Sequence, residues 1–257
     1  MAERDAPFLL TRREHLLGLL PAFAVFALLG EARAAAPSQR SAVASWLDDQ
    51  DGIARALAGG EIGGGAWALE VERLARRVDV ALLMAEVGLA RVTAAGRGSH
   101  NDPEKRVVRF LDADGTPRRL HYGAAMFDFA PRNVITPHGH RHMVSAHLVV
   151  DGAFRVRNFD RLRDEGESMV IRPTRDYVAR VGQVSTMCSE RDNIHWFVPR
   201  GGPATTFDIA ISGLDAGQPD HEIKAIDPLG GRRLDDGTIL APVMPFAEAS
   251  RRYTAAL

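Results

Sequence analysis

Pro137-His138-Gly139-His140-Arg141-His142-Met143-Val144-Ser145-Ala146-His147-Leu148-Val149-Val150-Asp151-Gly152 is the stretch on which the reading of the chain turns. Four of the nine histidines in the 257-residue sequence fall in these sixteen positions. Imidazole is the commonest protein ligand for transition metals. His138, His140 and His142 alternate, so an extended chain turns all three to one side. Ser145 and His147 are likewise two apart. The stretch ends in Leu-Val-Val and an Asp-Gly pair, which predicts a strand feeding a hairpin. The competing reading is a polar strand facing solvent. Chance seldom gives alternate histidines that run into an apolar strand and a turn glycine.

Working outward, length and composition fit one globular domain with an appendage. The 32 Lys and Arg nearly balance 33 Asp and Glu, so no basic face points to nucleic acid. A chain of this size buries a full core without disulfides, and Cys188 is the only cysteine, which excludes an intramolecular one. Thr11-Arg12-Arg13-Glu14-His15-Leu16-Leu17 resembles the twin-arginine export signal, with His15 in the usual Phe place and Leu17 in the usual Lys place. The apolar stretch that follows, Leu16 to Leu29, is broken by Pro21 and is shorter than the ~20 residues of a membrane span. Ala32-Arg33-Ala34 and Ala34-Ala35-Ala36 are small-x-small cleavage sites. Residues 1–36 are therefore expected to be a signal peptide. The resemblance implies the twin-arginine translocase as a partner and a periplasmic or secreted mature protein.

Residues 37–95 are expected to form a helical layer. Ser41 is the expected cap, and Trp46, Ile53 and Leu57 share one face. Gly59-Gly60 and Gly63-Gly64-Gly65 break the run. A second helix is expected to carry Trp67, Val71, Leu74, Val78, Leu82 and Leu89 as a core-facing stripe. Gly96 to Pro103 reads as a turn-rich linker. Residues 104–214 then carry short strand signals separated by Gly, Pro, Asn and Asp, the pattern of an antiparallel barrel or sandwich. Residues 215–257, rich in Gly, Pro and Asp, are expected to be an arm packed on that barrel.

The histidine stretch resembles the first motif of the cupins: a His-x-His pair, usually a Glu about five residues on, then an apolar strand ending in Gly. Counted back from Gly152, the pair falls on His138 and His140, and Ser145 takes the Glu slot. The resemblance implies a mainly β fold, an antiparallel β-barrel or jelly roll with a small N-terminal helical layer. A pair without that Glu is more similar to cysteine dioxygenase and related thiol dioxygenases, in which three histidines hold iron. On that resemblance the third is His195, in Arg191-Asp192-Asn193-Ile194-His195-Trp196. The same resemblance places Arg106 or Arg109 near a substrate carboxylate, with Arg109 the candidate. It also sets Thr206, Asp208 and Ala210 against a Ser-x-His-x-Tyr run. None of the three matches that run, so the usual catalytic residues around the metal are replaced.

Imidazoles accept iron(II), zinc, manganese and copper alike. Iron(II) is the expected cofactor by resemblance, with another divalent transition metal as the alternative. The expected function is an exported, metal-dependent cupin that oxidises a small substrate, such as a thiol, with molecular oxygen. A non-catalytic periplasmic binding protein and a zinc or manganese cupin hydrolase or isomerase are the alternatives. His142 could replace His138 if the strand stays regular, and His147 could line the cavity deeper in. Asp208 is expected to face the cavity and orient a ligating histidine or a polar substrate. Cys188 is expected to be buried and inert.

Overall fold

The computed structural model describes residues 37–96, 101–219 and 221–256. The expected signal peptide, residues 1–36, lies outside them. Three helices come first, α1 (Pro37–Ala58), α2 (Gly64–Ala75) and α3 (Val80–Leu89). Thirteen strands follow: β1 (Arg91–Gly96), β2 (Glu104–Arg109), β3 (Gly123–Phe129), β4 (Ile135–Arg141), β5 (Met143–Asp151), β6 (Ala153–Glu165), β7 (Ser168–Arg180), β8 (Val184–Met187), β9 (Ile194–Pro199), β10 (Ala204–Ser212), β11 (Glu222–Ile226), β12 (Arg232–Arg233) and β13 (Ile239–Met244). Helix α4 (Phe246–Ala255) ends the described chain.

The strands form two antiparallel sheets, ordered β1-β2-β3-β10-β5-β8 and β11-β4-β9-β6-β7-β13-β12. Within them, β3 to β10 divide between the sheets as 3-10-5-8 and 4-9-6-7, switching sheet at every connection except the β6–β7 hairpin. That is the strand order of a jelly roll, two Greek keys folded face to face.

Alternation along the strands decides what faces the lumen. In β10, Phe207, Ile209 and Ile211 join the core beneath the helices. Thr206 and Asp208 turn to the opposite face, and both are buried. In β5, Val144, Ala146, Leu148 and Val150 pack under the helices, while Ser145 and His147 face the lumen with Val149. Helices on one side and the second sheet on the other bury Met143 to Val150 throughout, which explains the uninterrupted Leu-Val-Val. The helical layer anchors through Trp46, Trp67, Leu74 and Leu83. The Trp46 indole N–H donates to the Leu74 carbonyl at 3.1 Å.

Several expectations are corrected. The single helix expected to run through to Leu89 is two. The Asp79 carboxylate accepts from the amides of Ala81 and Leu82 at 2.9 and 3.1 Å and so caps a new helix. The change of direction leaves Leu89 exposed. Arg91–Gly96, expected as helix end and linker, is a strand paired with β2. The C-terminal segment packs on the barrel through Tyr253 against Val134 and Trp196 and also adds strands to it. Its strand β11 extends the second sheet, pairing Ile223 with His140 and Ala225 with His138, and β13 pairs with β7. Asp151-Gly152 makes no hairpin between paired strands, because β5 and β6 lie in different sheets. Gly152 instead turns a corner at φ 69°. A Cβ there would lie 2.6 Å from the Pro203 carbonyl oxygen, so the corner requires glycine.

Candidate metal centre

β4 and β9 are neighbours, and His138 lies directly opposite His195. His140 sits two residues along β4 on the same face. Their imidazoles converge from the two strands. His195 Nε2 lies 3.2 Å from His138 Nε2 and 3.3 Å from His140 Nε2. Nitrogens bound to one ion at about 2.0–2.1 Å stand roughly 2.8–3.4 Å apart from octahedral to tetrahedral geometry, so this spacing fits a shared metal. The three could hold a metal ion, and among the described residues no carboxylate joins them.

The protonation pattern suits ligation. Burial holds the pKa of His138 down to about 4, against a smaller upward pull from the Thr136 carbonyl. Burial, then the neighbouring histidines, holds His140 and His195 well below the usual range. All three rings are neutral at pH 7. His138 Nδ1 lies 2.8 Å from the Thr136 carbonyl oxygen. A carbonyl only accepts, so Nδ1 carries the proton and Nε2 offers its lone pair.

A pH dependence follows for the metal-free protein. The folded pKa values lie below the unfolded value of 6.5, so between them the unfolded chain binds more protons. Stability is complete above pH 6.5 and falls as the pH drops towards 4 and below. Urea midpoints of chelated protein at pH 7.5, 6 and 5 should decline in that order. A midpoint rising with acidification would contradict the buried neutral rings.

His142 does not extend the row. Its φ is 62°, a left-handed corner at which the chain passes from the second sheet to the first. Its ring turns outward to pair with Asp215. It is therefore no substitute for His138. His147, on β5, comes at the centre from the opposite sheet. Its ring lies 4.6 Å from that of His195. Its Nδ1 is 2.6 Å from Asp208 Oδ2 and its Nε2 3.0 Å from Ser145 Oγ.

Asp208 faces the lumen and is 5 % exposed. It orients His147, its cross-strand partner, rather than one of the three converging histidines. Arg109 is exposed on β2 and lines the cavity, whereas Arg106 is tied to Asp128 at 2.5 and 2.9 Å. Cys188 is buried under the helices, where burial pushes its thiol up to about 11.

Asn158 escaped the sequence reading. It lies opposite His195 on β6 and is 1 % exposed. The signal was a lone polar residue in register with Phe154 and Val156. Asn158 Oδ1 and His195 Nδ1 are both buried without a partner. A metal on Nε2 would place the proton of His195 on Nδ1, and a water between these two atoms would then satisfy both. Asn158→Leu should weaken metal affinity about 10- to 100-fold, measured by competition with a chromogenic chelator. Unchanged affinity would remove Asn158 from the site.

The histidines lie at one side of a cavity of about 930 Å3, with Ser145, His147 and Asp208 also on its wall. The architecture is a jelly roll of two antiparallel sheets. No protein-family model matches the chain, and no curated protein does. Among solved structures, KdgF from Halomonas sp. is similar at 18 % identity over 42 % of this chain and 76 % of its own, with a TM-score of 0.29. An oxalate oxidase in complex with glycolate is similar at 20 % identity over 49 % and 58 %, with a TM-score of 0.33. A vicilin from Solanum melongena matches at 14 % identity over 42 % of this chain, with a TM-score of 0.32, and the match spans only 27 % of the vicilin. These likenesses are weak, and the strand order by itself establishes the fold.

Proposed function

We propose that this protein is a mononuclear metal-dependent oxygenase, exported by the twin-arginine route, in which His138, His140 and His195 hold iron(II). The observation that carries the reading is the convergence of three neutral imidazoles at 3.2 and 3.3 Å with no carboxylate among them. Three neutral ligands leave the full charge of the metal in place and coordination positions open for substrate and oxygen. Bound there, iron supplies the redox chemistry that lets dioxygen react with an organic substrate.

The chain's own residues do the rest. Thr136 fixes the tautomer of His138, and the cross-strand pairing of β4 and β9 fixes the angle between the rings. Asp208, accepting at 2.6 Å, holds the proton of His147 on Nδ1. His147 Nε2 lies 3.0 Å from the Ser145 hydroxyl oxygen. Ser145 and His147 both line the cavity, where the pair can hydrogen-bond a polar group of the substrate. Phe197 packs against both His147 and His195, tilted to the first and edge-on to the second, at 5.1 and 5.5 Å between ring centroids, and shields that side from water.

Oxygen uptake by anaerobically iron-loaded protein, against a panel of small thiols and carboxylates, tests the reading. Uptake that needs substrate and is lost on chelation supports it. Full loading with no uptake for any substrate would turn the reading towards a binding protein or a Lewis-acid cupin.

A further inference from the structure

His142 is the one residue between β4 and β5. Its left-handed backbone is a conformation that residues other than glycine seldom adopt, and among the described residues only Asp192 shares it. The segment after β10 holds the corner: the Leu214 amide donates to the His142 carbonyl at 3.3 Å, and Asp215 pairs with the ring.

The corner folds Met143 back on to His140. In an uninterrupted strand, residues three apart would stand about 10 Å from each other and point to opposite faces. Here Met143 Sδ lies 3.2 Å from His140 Nδ1. Both side chains are buried, and both line the cavity. A thioether has lone pairs and no proton to give, so Nδ1 is the donor. That leaves the lone pair of His140 on Nε2, the atom 3.3 Å from His195 Nε2. The Thr136 carbonyl does the same for His138 at 2.8 Å. Sulfur is the weaker acceptor and carries no charge. It orients the ring without adding the negative charge that a carboxylate would bring to the centre.

We propose that Met143 is a positioning residue of the metal centre: its Sδ accepts the Nδ1 proton of His140, fixes the ring and turns Nε2 to the ion. The left-handed corner at His142 is what makes this contact between near neighbours in sequence. The proposal rests on the three-histidine reading of the site.

Zinc, which is diamagnetic, is the probe, and its affinity is measured by competition with a chromogenic chelator in wild type, Met143→Leu and Met143→Gln. Leucine nearly conserves the volume and removes the acceptor. Glutamine restores an acceptor through its amide oxygen. Met143→Leu should bind zinc about tenfold more weakly, and Met143→Gln should recover affinity to within about threefold of wild type. In NMR spectra of the zinc-loaded proteins, the His140 Nδ1 proton should be protected from solvent exchange in wild type and Met143→Gln and should exchange faster in Met143→Leu. Loaded wild type with an unaffected Met143→Leu, or Leu and Gln variants weakened alike, would overturn the role of Met143 and leave the three-histidine site standing. Wild type that takes up no zinc and no iron would remove that site and this proposal with it.

Discussion

His195→Ala is expected to abolish stoichiometric metal binding. His195 Nε2 is the atom that stands within 3.3 Å of both other candidate nitrogens. His138 and His140 alone supply two ligands from one strand, and the alanine leaves a void where the third nitrogen stood. A buried ligand also carries the geometry of its neighbours, since His195 packs against His138, His140 and His147 at 4.5, 4.9 and 4.6 Å between ring centroids. Loss of one of three ligands should weaken affinity by at least three orders of magnitude, given the roughly 10–16 kcal/mol that a complete site contributes for zinc. Inductively coupled plasma mass spectrometry after desalting reads this directly. His142→Ala is the control. Its ring points to Asp215 on the outside, so that variant should keep its full metal content. Full occupancy in His195→Ala would remove the three-histidine site.

Phe207→Ala is expected to cost about 3–5 kcal/mol of folding stability. Phe207 is 1 % exposed. It sits between Trp46 of the helical layer and Phe110, at ring-centroid distances of 6.4 and 6.1 Å. Deleting it opens a cavity where helices and sheet meet, on the face opposite Asp208. The two faces of β10 therefore make separable predictions. Phe207→Ala should lower the urea midpoint and leave metal affinity unchanged in native buffer. A loss below about 1 kcal/mol would mean that the helices do not dock on this sheet as described.

The difference between what the sequence disclosed and what it hid follows from range. His138 and His140 were legible because alternate residues on a strand share a face whatever that strand pairs with. His195 could be placed by resemblance, ahead of an apolar strand. The barrel was legible from strands spaced by turn residues, and the helical layer from its apolar spacing. The corner at His142 was not legible, since a left-handed backbone at a histidine leaves no mark in a pattern of alternation. The Asp-Gly pair announced a turn, but whether it joined strands of one sheet or two depended on distant pairings. The partner of Asp208 was hidden for the same reason. His147 and Asp208 are sixty-one residues apart, and only the insertion of β10 between β3 and β5 sets them opposite each other. The C-terminal strands were hidden because β11 is short and takes its place by pairing with the histidine strand, a contact no local pattern specifies.

The central claim is that His138, His140 and His195 hold one metal ion without a carboxylate or thiolate. X-ray absorption spectroscopy of the purified wild-type protein at its metal edge tests it most directly. One equivalent of metal, with three imidazole nitrogens at about 2.0–2.2 Å and no sulfur at about 2.3 Å, is the expected result. Protein that cannot be loaded at all, or a shell containing sulfur or fewer than three imidazoles, would contradict it.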